Sequence, residues 1–175
     1  NNNNIFLGYQ AGYSNTSGDN NFAVGWRALY NNTTGIGNIA LGSSSLYSNS
    51  SGTYNTAIGR SALYTTTSGS YNVAVGTSSL YDNTTGTNNT ATGYNSLSNN
   101  TTGSSNVAIG YESLRDNTTG SRNTTLGFRA MFLNPTGNNN TAIGNEAGLN
   151  NNGSGCLFLG YQAGYNETGS NRLYI

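Results

Sequence analysis

The sequence predicts an all-β chain folded as a parallel β-solenoid, a β-roll of about ten 17-residue coils. Three observations carry this. Glycine recurs every 17 residues from Gly8 through Gly25 and Gly42 to Gly144, then arrives one residue early at Gly160. A second glycine column runs from Gly18 to Gly137 with the same step, and asparagine keeps it from Asn4 to Asn140. Three columns holding register over so many copies define a repeat array rather than a low-complexity coil.

Each copy reads N-x-A-[VIL]-G-x-x-[SA]-L-Y-x-N-T-T-G-x-x, as in Asn106-Val107-Ala108-Ile109-Gly110 continuing to Gly120. The x-A-[VIL]-G segment is rich in β-branched residues and predicts one short strand. The [SA]-L-Y stretch predicts a second, and the asparagine, threonine and glycine between them predict turns. Seventeen residues cannot hold two strands and a crossover helix, but they suffice for one flattened coil. Coils stacked at ~4.8 Å make a single rod roughly 50 Å long over residues 1–175.

Period-two logic assigns the strand faces. Leu7, Val24, Leu41 and Ile58, with Ile5, Phe22 and Ile39 two positions earlier, are expected to point inward and meet Leu29, Leu46 and Leu63 in a thin core. The opposite face, made of asparagine, alanine and glycine, is expected outside, either under a loop of its own coil or against another chain. Tyr13, Tyr30, Tyr47, Tyr64 and Tyr81 form a column, with Phe132 and Tyr165 in register. Stacked rings between coils are the structural reading, and a sugar-binding strip the functional one.

Composition bounds the function. Charged residues are 7% of the chain, net charge is zero, and there is no histidine. Steering toward nucleic acid and insertion into a membrane are therefore not expected. Without histidine, and with the lone Cys156 lacking a base partner, no enzyme, cofactor or metal site is expected. Glu112 and Asp116 are the only close acid pair, and Arg115 between them suggests surface pairing.

Modification is a stronger prospect. N-x-[ST] occurs at Asn15, Asn32, Asn49, Asn83, Asn100, Asn117 and Asn166. Most of these asparagines share one turn column, for which a buried coil-to-coil amide ladder is the alternative. Thr34, Thr85, Thr102 and Thr119 in the same turn are candidates for O-linked sugars. The terminal repeats, 4–20 and 156–175, nearly duplicate one another. Ile5-Phe6-Leu7-Gly8-Tyr9-Gln10-Ala11-Gly12-Tyr13 matches Leu157-Phe158-Leu159-Gly160-Tyr161-Gln162-Ala163-Gly164-Tyr165. Both place phenylalanine where other copies have alanine, and glycine where they have leucine. They are expected to be end caps or head-to-tail junctions, with Phe6, Tyr9, Tyr13, Phe158, Tyr161, Tyr165 and Tyr174 as assembly residues.

Asn106-Val107-Ala108-Ile109-Gly110 with Ser113 resembles the N-x-V-A-I-G-x-x-S head repeat of trimeric autotransporter adhesins, in a longer coil. The Asn117-Thr118-Thr119-Gly120 unit resembles arrays in bacterial surface proteins and phage tail fibres. The resemblance implies a parallel β-roll displayed on a cell surface or virion. The expected function is a structural subunit of an extracellular filament or surface fibre. It would assemble with itself through its ends and the small-residue face, and could be glycosylated. The alternatives are an adhesin or tail-fibre shaft binding surface glycans, and an ice-binding protein. Adjacent threonines such as Thr33-Thr34 argue against the last, since a strand would point them to opposite faces.

Overall fold

The computed structural model describes residues 2–175 as one parallel sheet of eleven strands in sequence order. The first ten have three residues each: β1 Ile5–Leu7, β2 Phe22–Val24, β3 Ile39–Leu41, β4 Thr56–Ile58, β5 Val73–Val75, β6 Thr90–Thr92, β7 Val107–Ile109, β8 Thr124–Leu126, β9 Thr141–Ile143 and β10 Leu157–Leu159. A two-residue β11, Leu173–Tyr174, follows. Coil n below is the coil that contains βn. Every strand pairs with its equivalent in the next coil, as in Ala57↔Ala74. The chain is thus a β-solenoid of about ten turns, as the repeat predicts. The last two turns are one residue shorter because Asn151-Asn152-Gly153 and Glu167-Thr168-Gly169 each have one residue fewer than the N-T-T-G turn.

Each coil holds one strand, not two. Across the [SA]-L-Y segment the coils still bond to one another, for instance Leu29 N to Ser45 O at 2.9 Å and Asn31 N to Tyr47 O at 3.0 Å. The backbone there is bent rather than extended. Arg27 and Leu29 lie at φ 51° and 53°, and the same pair of positions is left-handed in coil after coil. A leucine in that region costs ~1–2 kcal/mol. Complete burial of its side chain, worth about 1.5–3 kcal/mol, offsets this. Leu29, Leu46, Leu63, Leu80, Leu97 and Leu114 are all fully buried.

The strand faces are reversed from the sequence expectation. Ala23, Ala40, Ala57, Ala74, Ala91, Ala108 and Ala142 are fully buried and pack with the leucines. The apolar columns on either side of them face out: Ile39 and Ile58 retain 37% and 39% of their surface. The reason is room. A 17-residue coil is so thin that a leucine entering from the bent side leaves only methyl-sized space on the strand side. The small face is therefore interior and not free to meet another chain.

The strand glycine is fixed by the same thinness. At Gly76, φ is +131° and a Cβ would lie 2.6 Å from the carbonyl oxygen of Gly93. The end copies exchange volume across the core. Phe158 is fully buried, and a Cβ on Gly148 or Gly164 would sit 2.6 or 2.3 Å from its ring. Phe6 fills the equivalent space above Gly12, whose Cβ would meet the ring at 2.5 Å.

Candidate functional site: the ladders and edges of the rod

Two asparagine columns run through the interior. The first begins each strand. Asn38 Oδ1 accepts from the backbone N–H of Asn55 in the next coil at 3.0 Å, and Asn38 Nδ2 donates to Gly52 O across its own coil at 2.9 Å. Each carboxamide therefore joins coils with one end and braces a coil with the other. The series ends at Cys156, whose N–H donates to Asn140 Oδ1 at 2.9 Å and whose thiol is buried.

The second column lies in the N-T-T-G turn. Asn49 Nδ2 donates to Asn32 Oδ1 at 2.7 Å and to Gly52 O at 3.1 Å, and Asn117 Nδ2 does the same with Asn100 Oδ1 and Gly120 O. Asn32, Asn49, Asn83, Asn100 and Asn117 are fully buried. A sugar on any of these nitrogens has no space, and on Asn32, Asn49, Asn100 and Asn117 it would also replace a ladder donor. As candidate glycosylation residues these five are therefore corrected: the folded coil uses them as rungs. Asn15 is half-buried with Nδ2 on Gly18 O, while Asn166 is exposed and only accepts, from Asn150 Nδ2 at 2.6 Å.

The two threonines of the turn divide their work. The inner one bonds to the next coil, as Thr33 Oγ1 does to Ser50 O at 2.9 Å and Thr84 Oγ1 to Thr101 O at 3.0 Å. The outer one is exposed. Thr34, Thr85, Thr102 and Thr119 share a column with Ser17, Ser51, Ser68 and Thr136, so each of coils 1 to 8 presents one outward hydroxyl along this edge. The sequence reading marked only the four threonines. The serines complete the column, and their interchange with threonine was the available signal.

On another edge Tyr13, Tyr30, Tyr47, Tyr64 and Tyr81 stack with ring centroids 5.0–5.2 Å apart and planes within 7°. The stack breaks at Ser98. Tyr81, Ser98 and Arg115, with Ser78, Asn95 and Asn99, line a groove of ≈ 380 Å³. Arg115 is held by Asp116, at 2.8 and 2.9 Å, and by Glu112 at 3.5 Å, and it covers the Phe132 ring at 3.8 Å. Burial, and then the neighbouring Tyr81 and Tyr47, push the Tyr64 hydroxyl pKa up. A second aromatic series, Tyr94, Tyr111 and Phe128, stacks at 5.3 Å, and Tyr54 stacks on Tyr71 at 5.4 Å. Sequence reading missed it because serine, arginine and threonine interrupt it.

The terminal residues proposed for assembly separate into two groups. Phe158 is part of the core, and at the opposite end of the rod half-buried Phe6 packs against that core, so neither is a free mating surface. Tyr9, Tyr13 and Tyr161 are exposed at 65%, 65% and 73%. Tyr165 and Tyr174 line a notch of ≈ 330 Å³ with Gly164, Asn166 and Glu167. There Tyr174 stacks on Phe158 at 5.9 Å, and its hydroxyl donates to Glu167, which holds the Glu167 carboxyl below its usual range. Glu167 also accepts from Gly169 N at 2.6 Å, taking the place of the turn asparagine.

Comparison with protein-family models, with curated proteins and with solved structures returned no match.

Proposed function

We propose that the chain is a structural rod within an extracellular filament or surface fibre. The observation that carries this reading is the unbroken in-register stacking of the coils, reinforced by two interior amide columns along most of the length. Such a column resists bending and pulling at every level, which is what a shaft requires. Further coils, from this chain or another, would continue the sheet beyond β1 and β11. The outer hydroxyl edge would carry O-linked sugars at Thr34, Thr85, Thr102 and Thr119, spaced one coil apart. Cryo-electron microscopy of the native material tests the reading. The expected result is a filament with a continuous ~4.8 Å coil repeat along its axis. Isolated rods on the cell surface or virion, with no axial continuation, would overturn it. Intact mass above the bare 18.2 kDa chain is expected if the hydroxyl edge is glycosylated.

The groove at Ser98 favours one alternative, recognition of surface glycans. Tyr81 offers a ring face to a sugar, and Asn95, Asn99 and Arg115 offer donors beside it. Calorimetric titration with oligosaccharides against Tyr81→Ala separates this from a purely structural column. Saturable heat that disappears in the variant would support the binding reading.

A further inference from the structure

The outward face of the sheet is unpartnered along the full length of the rod. From Ile5 to Leu173 its two columns contain only Ile, Leu, Val and Phe, apart from Thr56, Thr90, Thr92, Thr124 and Thr141, and no charged residue. Mid-face residues keep substantial surface, with Leu126 at 46% and Val73 and Ile143 at 37%. A soluble protein seldom leaves a contiguous apolar strip larger than a few hundred Å² uncovered. This one offers ~1,000 Å² per copy, above the roughly 800 Å² per partner of a standard stable interface.

We propose that this face pairs with the same face of a second copy of the chain, sheet against sheet, with the rods antiparallel about a two-fold axis along β6. Two features single out that occupant. Ridges repeating once per coil over ~50 Å are matched only by a surface with the same period, and the chain's own face has it. The position of the threonines then fixes the axis. With a two-fold along β6, coil 5 meets coil 7 and coil 4 meets coil 8, and each strand position faces its own equivalent. Thr90 and Thr92 face their own copies and Thr56 faces Thr124, so hydroxyl meets hydroxyl. Val73 meets Val107, and Ile58 meets Leu126. Only Thr141 falls opposite an apolar residue, Ile39. Sliding the pair by one coil would set three of the five threonines, or in the other direction all five, against apolar side chains and leave their hydroxyls without partners, which is costly when buried.

The proposal is independent of the fibre reading. Face pairing doubles the cross-section at constant rod length, whereas end joining changes the length, and small-angle scattering separates the two. In light scattering the purified chain is expected at twice its 18.2 kDa mass. The double variant Ile58→Glu with Ile109→Glu, on exposed positions, is expected to be monomeric with at least a hundredfold weaker association. Thr85→Glu, on the hydroxyl edge, should remain dimeric. A monomer or a trimer in the unmodified chain overturns the proposal, as does a dimer that survives both glutamates. Spin labels on the hydroxyl edge, with the sheet face unaltered, test the axis even if the double variant fails to fold. Labels at Thr102→Cys in coil 6 should have no axial offset, and labels at Thr34→Cys in coil 2 an offset of about 38 Å. Equal distances at the two sites would mean parallel rods and overturn the antiparallel pairing.

Discussion

Replacing Thr66 by asparagine should stabilise the rod, because this position is the one interruption between Asn32 and Asn134 in the turn ladder. Thr66 is fully buried, and neither its Oγ1 nor the Oδ1 of Asn49 beside it has a hydrogen-bond partner. On the far side, Asn83 Nδ2 reaches Gly86 O at 3.1 Å but has no rung below it. Asparagine at 66 would give to Asn49 Oδ1 and Gly69 O and accept from Asn83 Nδ2, repeating the 2.6–2.8 Å rungs at Asn32, Asn49, Asn100 and Asn117. Three new bonds at a net ~0.5–1.5 kcal/mol each, less the cost of fixing one more side chain, come to about 2 kcal/mol. In a chain of this size that is a rise of about 4–8 °C in Tm. Because solenoids can unfold in parts, amide exchange near the repair is the sharper assay. The N–H of Ser50, bonded to Thr67 O, and that of Thr67, bonded to Thr84 O, should exchange more slowly. Thr66→Val is the discriminating control, since it removes one orphan atom and adds no rung. The expected order of stability is asparagine, then valine, then threonine. Valine equal to or better than asparagine would refute the account, because dryness rather than bonding would then govern the column.

The remaining expectations concern thinness, the end copies and charge. Gly76→Ala must place a Cβ 2.6 Å from Gly93 O at φ +131°, while Gly160→Ala at φ +123° meets nothing within 4 Å. Thermal melts should therefore show Gly160→Ala losing only the ~1–3 kcal/mol of a strained backbone, with Gly76→Ala losing about 2 kcal/mol more. Phe158→Ala empties the space that Gly148 and Gly164 leave open, and should cost ~3–5 kcal/mol in denaturant titration. Burial raises the Asp82 pKa above its unfolded value near 3.9, so its stabilising contribution is full below that value and falls as pH rises through the folded pKa. Asp82→Asn should consequently melt higher than the native chain at pH 7 and at the same temperature at pH 3.

The repeat, the parallel stacking and the register were legible because the glycine and asparagine columns demand the same neighbour at every level. The strand faces were not. Hydrophobicity marks Val24 and Ile58 for burial, and it fails because interior width, set by Leu29 and its equivalents, admits only Ala23 or Ala57 opposite. The second strand failed for a related reason. Leucine carries no turn signal, so nothing in Ala62-Leu63-Tyr64 announces a left-handed residue. The exchange of alanine for Phe158 and of leucine for Gly164 was visible as a pair of changes within one copy. That the two occupy one space required knowing that these positions face each other. Asn117 read equally well as a sugar acceptor or a rung, because the same amide nitrogen serves both and only its burial decides.

Stacking also accounts for the scarcity of charge. Any residue in a solenoid has its equivalent ~4.8 Å away in the next coil, where two like charges repel by about 1 kcal/mol even in bulk water and by more near a protein surface. A charge repeated along a column would accumulate that cost at every step. Neutral groups that both donate and accept, such as asparagine and the hydroxyls, gain a bond at each step instead. Where charges occupy successive coils of one column, their sign alternates. Glu112, Arg129 and Glu146 occupy one column in successive coils, with Arg129 3.6 Å from one carboxylate and 3.7 Å from the other. Beyond them Gln162 donates to Glu146 at 2.8 Å, and at the other end of the same column Gln10 accepts from Arg27 at 2.9 Å. In a neighbouring column Asn99 separates Asp82 from Asp116 and donates to the latter at 2.8 Å. The near-absence of charged residues is thus a condition of stacking identical coils, and the Glu112, Arg129 and Glu146 column shows how successive coils can carry charge by neutralising one another.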